Sequence, residues 1–282
     1  MTIRAKELHW NCPSCGCRAK NSFCSVCGEK NWRAHELTLK HLFEESAEFL
    51  FHFDSRLLRT AKCLVLAPGT VTRDFLFGRR RPYVPPFQMF FVANIIFLLV
   101  QTWSGLSVFT APLSVHLDSS SYSEFARRLL SRHLAAKGLT VAQYAHDFEH
   151  VQALHAKSLI VLMVPPFALE TAFLVWGKGK GAAAHLVFAL NFFTFCMLFL
   201  TVLFPLLAGF WHTTKMGSAY LDVFATIIEA IAILVYLKKA LSTVYELGWL
   251  RSWITSGILT VSLLYILYGY RFVLFLTTLW FT

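Results

Sequence analysis

Long apolar runs alternate with short basic segments through most of the chain. The first run has no charged residue between Phe87 and Trp103. Each run is close to the roughly 20 residues that a helix needs to cross hydrocarbon. Five such runs occupy residues 87–103, 158–176, 183–211, 220–237 and 253–280. The pattern predicts an all-α integral membrane helical bundle of about five spans, within a membrane domain at residues 87–282.

The polar sections between these runs predict shorter helices. Residues 35–86 alternate apolar and charged positions with helical spacing, and a Pro68-Gly69 pair interrupts them. We expect amphipathic helices on the cytoplasmic face of the membrane, with a small soluble helical domain as the alternative. Residues 104–157 form the longest polar section and contain two amphipathic segments separated by Gly138. We expect this section to be a helical loop on the outer side.

Basic residues set the expected orientation of the spans. The chain has 26 Lys and Arg against 16 Asp and Glu, and only 15% of its residues are charged, below the about 25% of soluble domains. Lys and Arg gather at 79–81, 178–180 and 238–251, whereas the short loop 212–219 has only Lys215. The positive-inside rule therefore predicts a cytoplasmic N-terminus and a C-terminus outside. The first residues lack the apolar core of a signal peptide, so we expect them to stay where the chain is made.

The N-terminal segment predicts a metal site. Two CxxC pairs, each followed by glycine, lie within CPSCGCRAKNSFCSVCG at residues 12–28. Glycine allows the positive φ of a metal-binding knuckle, and two facing knuckles give a tetrahedral thiolate site for which zinc is the usual metal. We expect residues 1–34 to form a zinc ribbon, with Cys17 outside the ligand set. The predicted ligands are Cys12, Cys15, Cys24 and Cys27.

Several motifs resemble a bacterial membrane-protein family without an assigned function. They are DxxLLRT at 54–60, APG at 67–69, FLFGRRRPYVPPF at 75–87, VPPFAL at 164–169, HLVFALNFFTF at 185–195 and LKKALSTVY at 237–245. The resemblance covers nearly the whole chain and implies an N-terminal ribbon and a helical membrane domain in the bacterial inner membrane. The family often has histidines after HLVFAL, where this chain has Asn191 and Phe193.

Polar residues inside apolar spans are costly and often functional. We expect five of them to form a polar site within the bundle, with Glu229 facing the interior. A structural ion pair or hydrogen-bonded pair is the alternative interpretation for Glu229. The predicted members are Glu170, His185, Asn191, Glu229 and Arg271.

The three consecutive arginines Arg79, Arg80 and Arg81 are candidate contacts for lipid headgroups, although topology anchoring alone accounts for them. No nucleotide-binding loop, GxSxG elbow or HExxH motif is present in the sequence, so no reaction is indicated. The ribbon is too poor in basic and aromatic residues to predict nucleic-acid binding.

Two classes of function fit these features. The first is a non-enzymatic protein for transport, binding or assembly, whose partners are membrane lipids and a cytoplasmic protein that docks on the ribbon. The second is a membrane-embedded enzyme that acts on a lipid-linked or apolar substrate, with Glu170, His185 or Glu229 as acid or base.

Overall fold

The computed structural model describes residues 9–31, 55–104, 109–214 and 218–282. Its N-terminal part is a small ribbon in which β1 (Trp10–Asn11) pairs antiparallel with β2 (Arg18–Ala19), with a further bridge between Phe23 and Lys30. The amphipathic pattern at 37–53 lies outside the described residues.

Two short helices precede the first apolar run. α1 (Ser55–Leu66) ends just before Pro68, and α2 (Thr70–Leu76) begins after Gly69. Gly69 has a φ of 84°, a conformation that glycine adopts at little steric cost. The predicted break at the Pro-Gly pair is therefore confirmed.

Within the described residues, three helices contain segments long and apolar enough to cross a membrane. The helices are α3 (Pro86–Ser104), α7 (Ala182–Thr214) and α9 (Trp249–Phe281). The predicted run at 158–176 is instead divided into a 3-10 turn (Ile160–Met163) and α6 (Val164–Leu174), which together make a shorter apolar segment. The described residues thus give three candidate spans where about five were predicted.

The remaining long helix, α8 (Ser218–Tyr245), corrects one predicted boundary. The predicted apolar run ends at residue 237, yet the helix continues through Lys238 and Lys239 to Tyr245. The reason is burial, because Leu241 and Tyr245 are 0% and 2% exposed. Apolar side chains that pack in the core keep the segment helical beyond the two lysines.

Aromatic side chains fill the core between these helices. Phe90 and Phe97 of α3 pack there with Phe167 of α6 and Phe192 of α7, and all four are fully buried. The Phe167 and Phe192 rings stack with centroids 4.6 Å apart. Tight ring packing of this kind fixes the helices against one another.

A second hydrophobic core surrounds the C-terminal end of α9. The predicted amphipathic helices are confirmed as α4 (Ser123–Lys137) and α5 (Val141–Leu159), which follow a π-helical turn (Val115–Ser119). Leu130 and Phe148 pack with Phe275 and Leu279 near the end of α9. With 33 residues, α9 is about 50 Å long, whereas bilayer hydrocarbon is about 30 Å thick. The last turns of α9 therefore belong to this second core, here called the helical cap.

His116 is at the centre of the cap. It is 1% exposed, and its Nδ1 and Nε2 lie 2.8 Å from the Tyr122 hydroxyl and 3.0 Å from the Gln152 side-chain nitrogen. Burial, assisted by the nearby Arg271 charge, lowers the pKa of His116 to about 4. The neutral imidazole accepts a hydrogen bond from Gln152 and can donate one to Tyr122.

Candidate metal centre and its contact with the membrane segment

The two CxxC-Gly segments form matching turns. The Gly16 N–H donates to the Cys12 carbonyl and the Gly28 N–H donates to the Cys24 carbonyl, each at 2.8 Å. The two glycines have φ values of 75° and 73°, which explains why glycine follows each pair. The matching geometry places the thiols of both turns close together, in the space between the two turns.

The four thiol sulfurs are close enough to share one ion. Cys12 and Cys27 have their sulfurs 3.4 Å apart, Cys15 and Cys24 have theirs 3.5 Å apart, and all four lie within 4.8 Å of one another. Four thiolates at about 2.3 Å from a tetrahedral zinc would be about 3.8 Å apart. A disulfide requires about 2.05 Å, so the cluster has the spacing of a metal site.

Local hydrogen bonds also favour thiolate character at one ligand. The backbone N–H groups of Cys27 and Val26 lower the pKa of Cys24 to about 6. Burial raises the pKa of Cys27 to about 12 and also raises that of Cys12. A cation held by the four cysteines would supply the positive charge that keeps all four sulfurs deprotonated.

The matching turns explain why Cys17 lies apart from the four clustered cysteines. The Cys12 N–H bonds to the Cys17 carbonyl, and the Cys24 N–H bonds to the Glu29 carbonyl. Cys17 and Glu29 therefore occupy equivalent positions after each glycine. Cys17 lies outside the four-cysteine cluster, as predicted.

Glu29 joins the ribbon to the segment that leads into α3. It is 3% exposed, and its Oε2 accepts hydrogen bonds from the Arg81 N–H at 2.8 Å and the Arg80 N–H at 3.1 Å. The Ser14 hydroxyl donates to the same oxygen at 2.5 Å. A buried carboxylate with three donors is well satisfied, so the ribbon is held directly against the arginine segment.

Each of the three arginines contacts the protein itself. The Arg81 guanidinium lies over Gly28, 3.6 Å from where a Cβ would be. Arg80 is buried, with its guanidinium 4.3 Å from the Phe75 ring centroid. Arg79 lies 3.6 Å from an oxygen of Asp74. Arg80 in particular is unavailable to lipid headgroups in this arrangement.

Asp74 binds further residues of the same segment. It is buried, accepts a hydrogen bond from the Tyr83 hydroxyl at 3.0 Å and lies 3.4 Å from Arg73. Burial and this carboxylate raise the pKa of Tyr83. The sequence analysis missed Asp74, Tyr83 and Glu29, and the only available signal was the presence of two acidic residues beside cysteine and arginine clusters.

Three of the five predicted intramembrane polar residues form hydrogen bonds with different partners. Glu170 accepts a hydrogen bond from Ser262 at 2.6 Å. His185 is hydrogen-bonded to Tyr245 at 2.9 Å, and the Asn191 side chain donates to Thr72 at 2.9 Å.

The other two members lie at different depths. Glu229 is half-buried in α8, sixteen residues before Tyr245, which is about 24 Å along the helix. Arg271 lies twenty-two residues after the start of α9 at Trp249, about 33 Å along it. The described contacts therefore do not bring the five residues to one cavity.

These features are consistent with a helical membrane protein that carries a metal-binding ribbon. The family described as "Protein of unknown function (DUF3667)" matches residues 54–98. The match covers the helical pair α1 and α2, the arginine segment and much of α3. Searches of curated proteins and of solved structures gave no match.

Proposed function

We propose that this protein is a non-enzymatic binding, transport or assembly protein of the bacterial inner membrane, whose zinc ribbon docks a cytoplasmic protein. The observation that carries the proposal is the contact of Glu29 with the Arg80 and Arg81 backbone. Hydrogen bonds to a charged group contribute about 1.5–3 kcal/mol each. Such bonds hold the ribbon in a fixed position beside the first span.

The ribbon also has apolar side chains exposed for a partner. Phe23 and Val26 are 58% and 68% exposed on the second knuckle. Exposed aromatic residues are enriched where proteins bind one another. A ribbon that is fixed on one side and apolar on another is suited to docking.

Zinc is the proposed metal because the chain offers four thiolates at tetrahedral spacing. Sets of four cysteine ligands are characteristic of structural zinc sites, which leave no open position for a reacting water. The metal would then stabilise the docking surface and take no part in a reaction.

The arrangement of contacts supports an odd number of crossings, which agrees with the proposed five and the proposed cytoplasmic N-terminus. Thr72 meets Asn191, and Tyr245 meets His185, at the end of the bundle that carries the ribbon. At the other end, the C-terminal Thr282 contacts Lys137 and Tyr144 of the cap. The ribbon and the C-terminus thus lie at opposite ends, as an odd number of crossings requires.

Each of Glu170, His185 and Asn191 hydrogen-bonds to a different helix, which supports a structural use of polar groups. An enzyme acting on a lipid-linked substrate would need several of these groups beside one reacting atom. The non-enzymatic role is therefore the better supported of the two.

Docking can be tested with a photo-crosslinking amino acid at position 23 in living cells. We expect one discrete product with a cytoplasmic protein, because Phe23 is exposed on the ribbon. Glu29→Ala should reduce that product several-fold while zinc content is unchanged, since Glu29 fixes the ribbon but is not a ligand. Crosslinking is read by immunoblotting and zinc by metal analysis of the purified protein.

A crosslinker at Lys20, another exposed ribbon position, provides the matched control and should give much less of the same product. Absence of a product at position 23, or equal yield at both positions, would contradict docking through this surface.

Topology is tested by reporter fusions. We expect a fusion after Thr282 to be active only for a reporter that works outside the cytoplasm, and a fusion before residue 9 to be active only for a cytoplasmic reporter. A C-terminal reporter active in the cytoplasm would mean an even number of crossings and would refute the proposed orientation.

A further inference from the structure

A cleft of about 320 Å³ lies between the α1–α2 turn and the C-terminal part of α8. Pro68 and Thr70 line one wall, and Lys238, Lys239 and Thr243 line the other. Its volume is at the lower end of the about 300–1,000 Å³ of ligand pockets. The cleft is separate from the metal centre and from the five polar residues discussed above.

Close packing fixes the two walls of the cleft relative to each other. A Cβ on Gly69 would lie 2.9 Å from the Ala240 carbonyl oxygen and 2.9 Å from the Thr243 Cβ. The turn therefore touches the α8 backbone at Gly69, and only glycine permits this approach. The cleft is a formed feature of the fold.

The described lining of the cleft carries positive charge. Lys238 and Lys239 are adjacent in α8, and none of the described residues that line the cleft is acidic. Among the described residues, neither lysine forms an ion pair; Lys238 contacts the Trp253 ring, with its Nζ 5.7 Å from the ring centroid. Two uncompensated ammonium groups beside a small polar cleft favour an anionic ligand.

The surroundings of the cleft indicate which anion it meets. Large exposed rings lie at the same end of the bundle, with Trp249 71% and Trp176 80% exposed. Exposed aromatic residues of this kind are enriched at the level of lipid headgroups. Basic pockets between helices on the cytoplasmic side suit anionic headgroups.

We propose that the Lys238-Lys239 cleft binds the phosphate of an anionic phospholipid headgroup. The lipid source rests on the proposed membrane location, whereas the phosphate chemistry rests on the cleft alone. The site differs from the triple-arginine segment, whose Arg80 is buried against Phe75.

Native mass spectrometry of the full chain in a neutral detergent tests the proposal. Phosphatidylglycerol and phosphatidylcholine are added at equal concentration, and we expect the protein to retain phosphatidylglycerol preferentially. Lys238→Gln/Lys239→Gln should weaken retention by about 10- to 30-fold, the effect of removing two lysine charges near a headgroup. The charge-conserving variant Lys238→Arg/Lys239→Arg should retain phosphatidylglycerol as the unmodified protein does.

Lys178→Gln/Lys180→Gln removes the same charge from a nearby loop and should leave retention unchanged. The proposal would be overturned if this control lost as much phosphatidylglycerol as the Lys238→Gln/Lys239→Gln variant. It would also be overturned if the protein retained both lipids equally and bound no phosphate.

Inorganic phosphate is titrated separately to distinguish a lipid headgroup from free phosphate as the source of the anion. If phosphate binding depends on Lys238 and Lys239 but no lipid is retained, the cleft is an anion site for a soluble ligand and the lipid assignment is wrong. Because phosphate binding is measured in solution, an incorrect membrane topology would not affect that result.

Discussion

The Cys12→Ser/Cys24→Ser variant is expected to lose about one equivalent of zinc, because it removes one ligand from each CxxC pair. Structural zinc sites contribute about 10 kcal/mol or more to folding. The ribbon has only two-residue strands and a few buried side chains, so it should unfold without metal. Metal analysis and hydrogen exchange at the Arg80 and Arg81 amides measure the two effects.

Cys17→Ser is the matched control, since Cys17 lies beside the cluster but outside it. It should keep both the zinc and the amide protection. The helical domain should stay folded in all variants because none of the described ribbon residues belongs to its aromatic core. Unchanged zinc in the double variant would eliminate the proposed four-cysteine site.

Gly69→Ala is expected to destabilise the protein by about 2–5 kcal/mol, the combined cost of a positive φ and of overpacking. The residue has a φ of 84°, and its new Cβ would meet the Ala240 backbone at 2.9 Å. Backbone atoms cannot move aside as a flexible side chain can. Thermal unfolding of both proteins in detergent measures this decrease in stability.

Gly138→Ala separates the two contributions. Gly138 also has a positive φ, 66°, but a Cβ there meets nothing within 4 Å. Gly138→Ala should lower the free energy of unfolding by only about 1–2 kcal/mol, which is the cost of the backbone conformation. Equal losses at both positions would show that contact with α8 does not constrain the turn.

Local patterns predicted local structure well. The CxxC-Gly spacing predicted which four of the clustered cysteines come together. The Pro68-Gly69 pair predicted the end of α1, and Gly138 predicted the boundary between α4 and α5. In each case the determining interactions lie within a few residues.

Contacts between distant parts of the chain could not be predicted. Glu29 binds the backbone of Arg80, which is 51 residues away, and no periodicity reports such a pairing. The described contacts also do not show the predicted convergence of the five intramembrane polar residues. The reason is related, because the depth of a residue within a bundle depends on how the helices are staggered. Hydropathy likewise predicted about five crossings, whereas segment length and composition support three among the described residues.

The length of α9 has a consequence for the order of assembly. Phe275 and Leu279 complete the core around Leu130 and Phe148, yet ribosomes make them more than a hundred residues later. Residues 109–159 are therefore synthesised well before the side chains that cover their apolar faces. The cap can reach its final packing only after α9 has been made, so a chain truncated before α9 would leave those faces exposed.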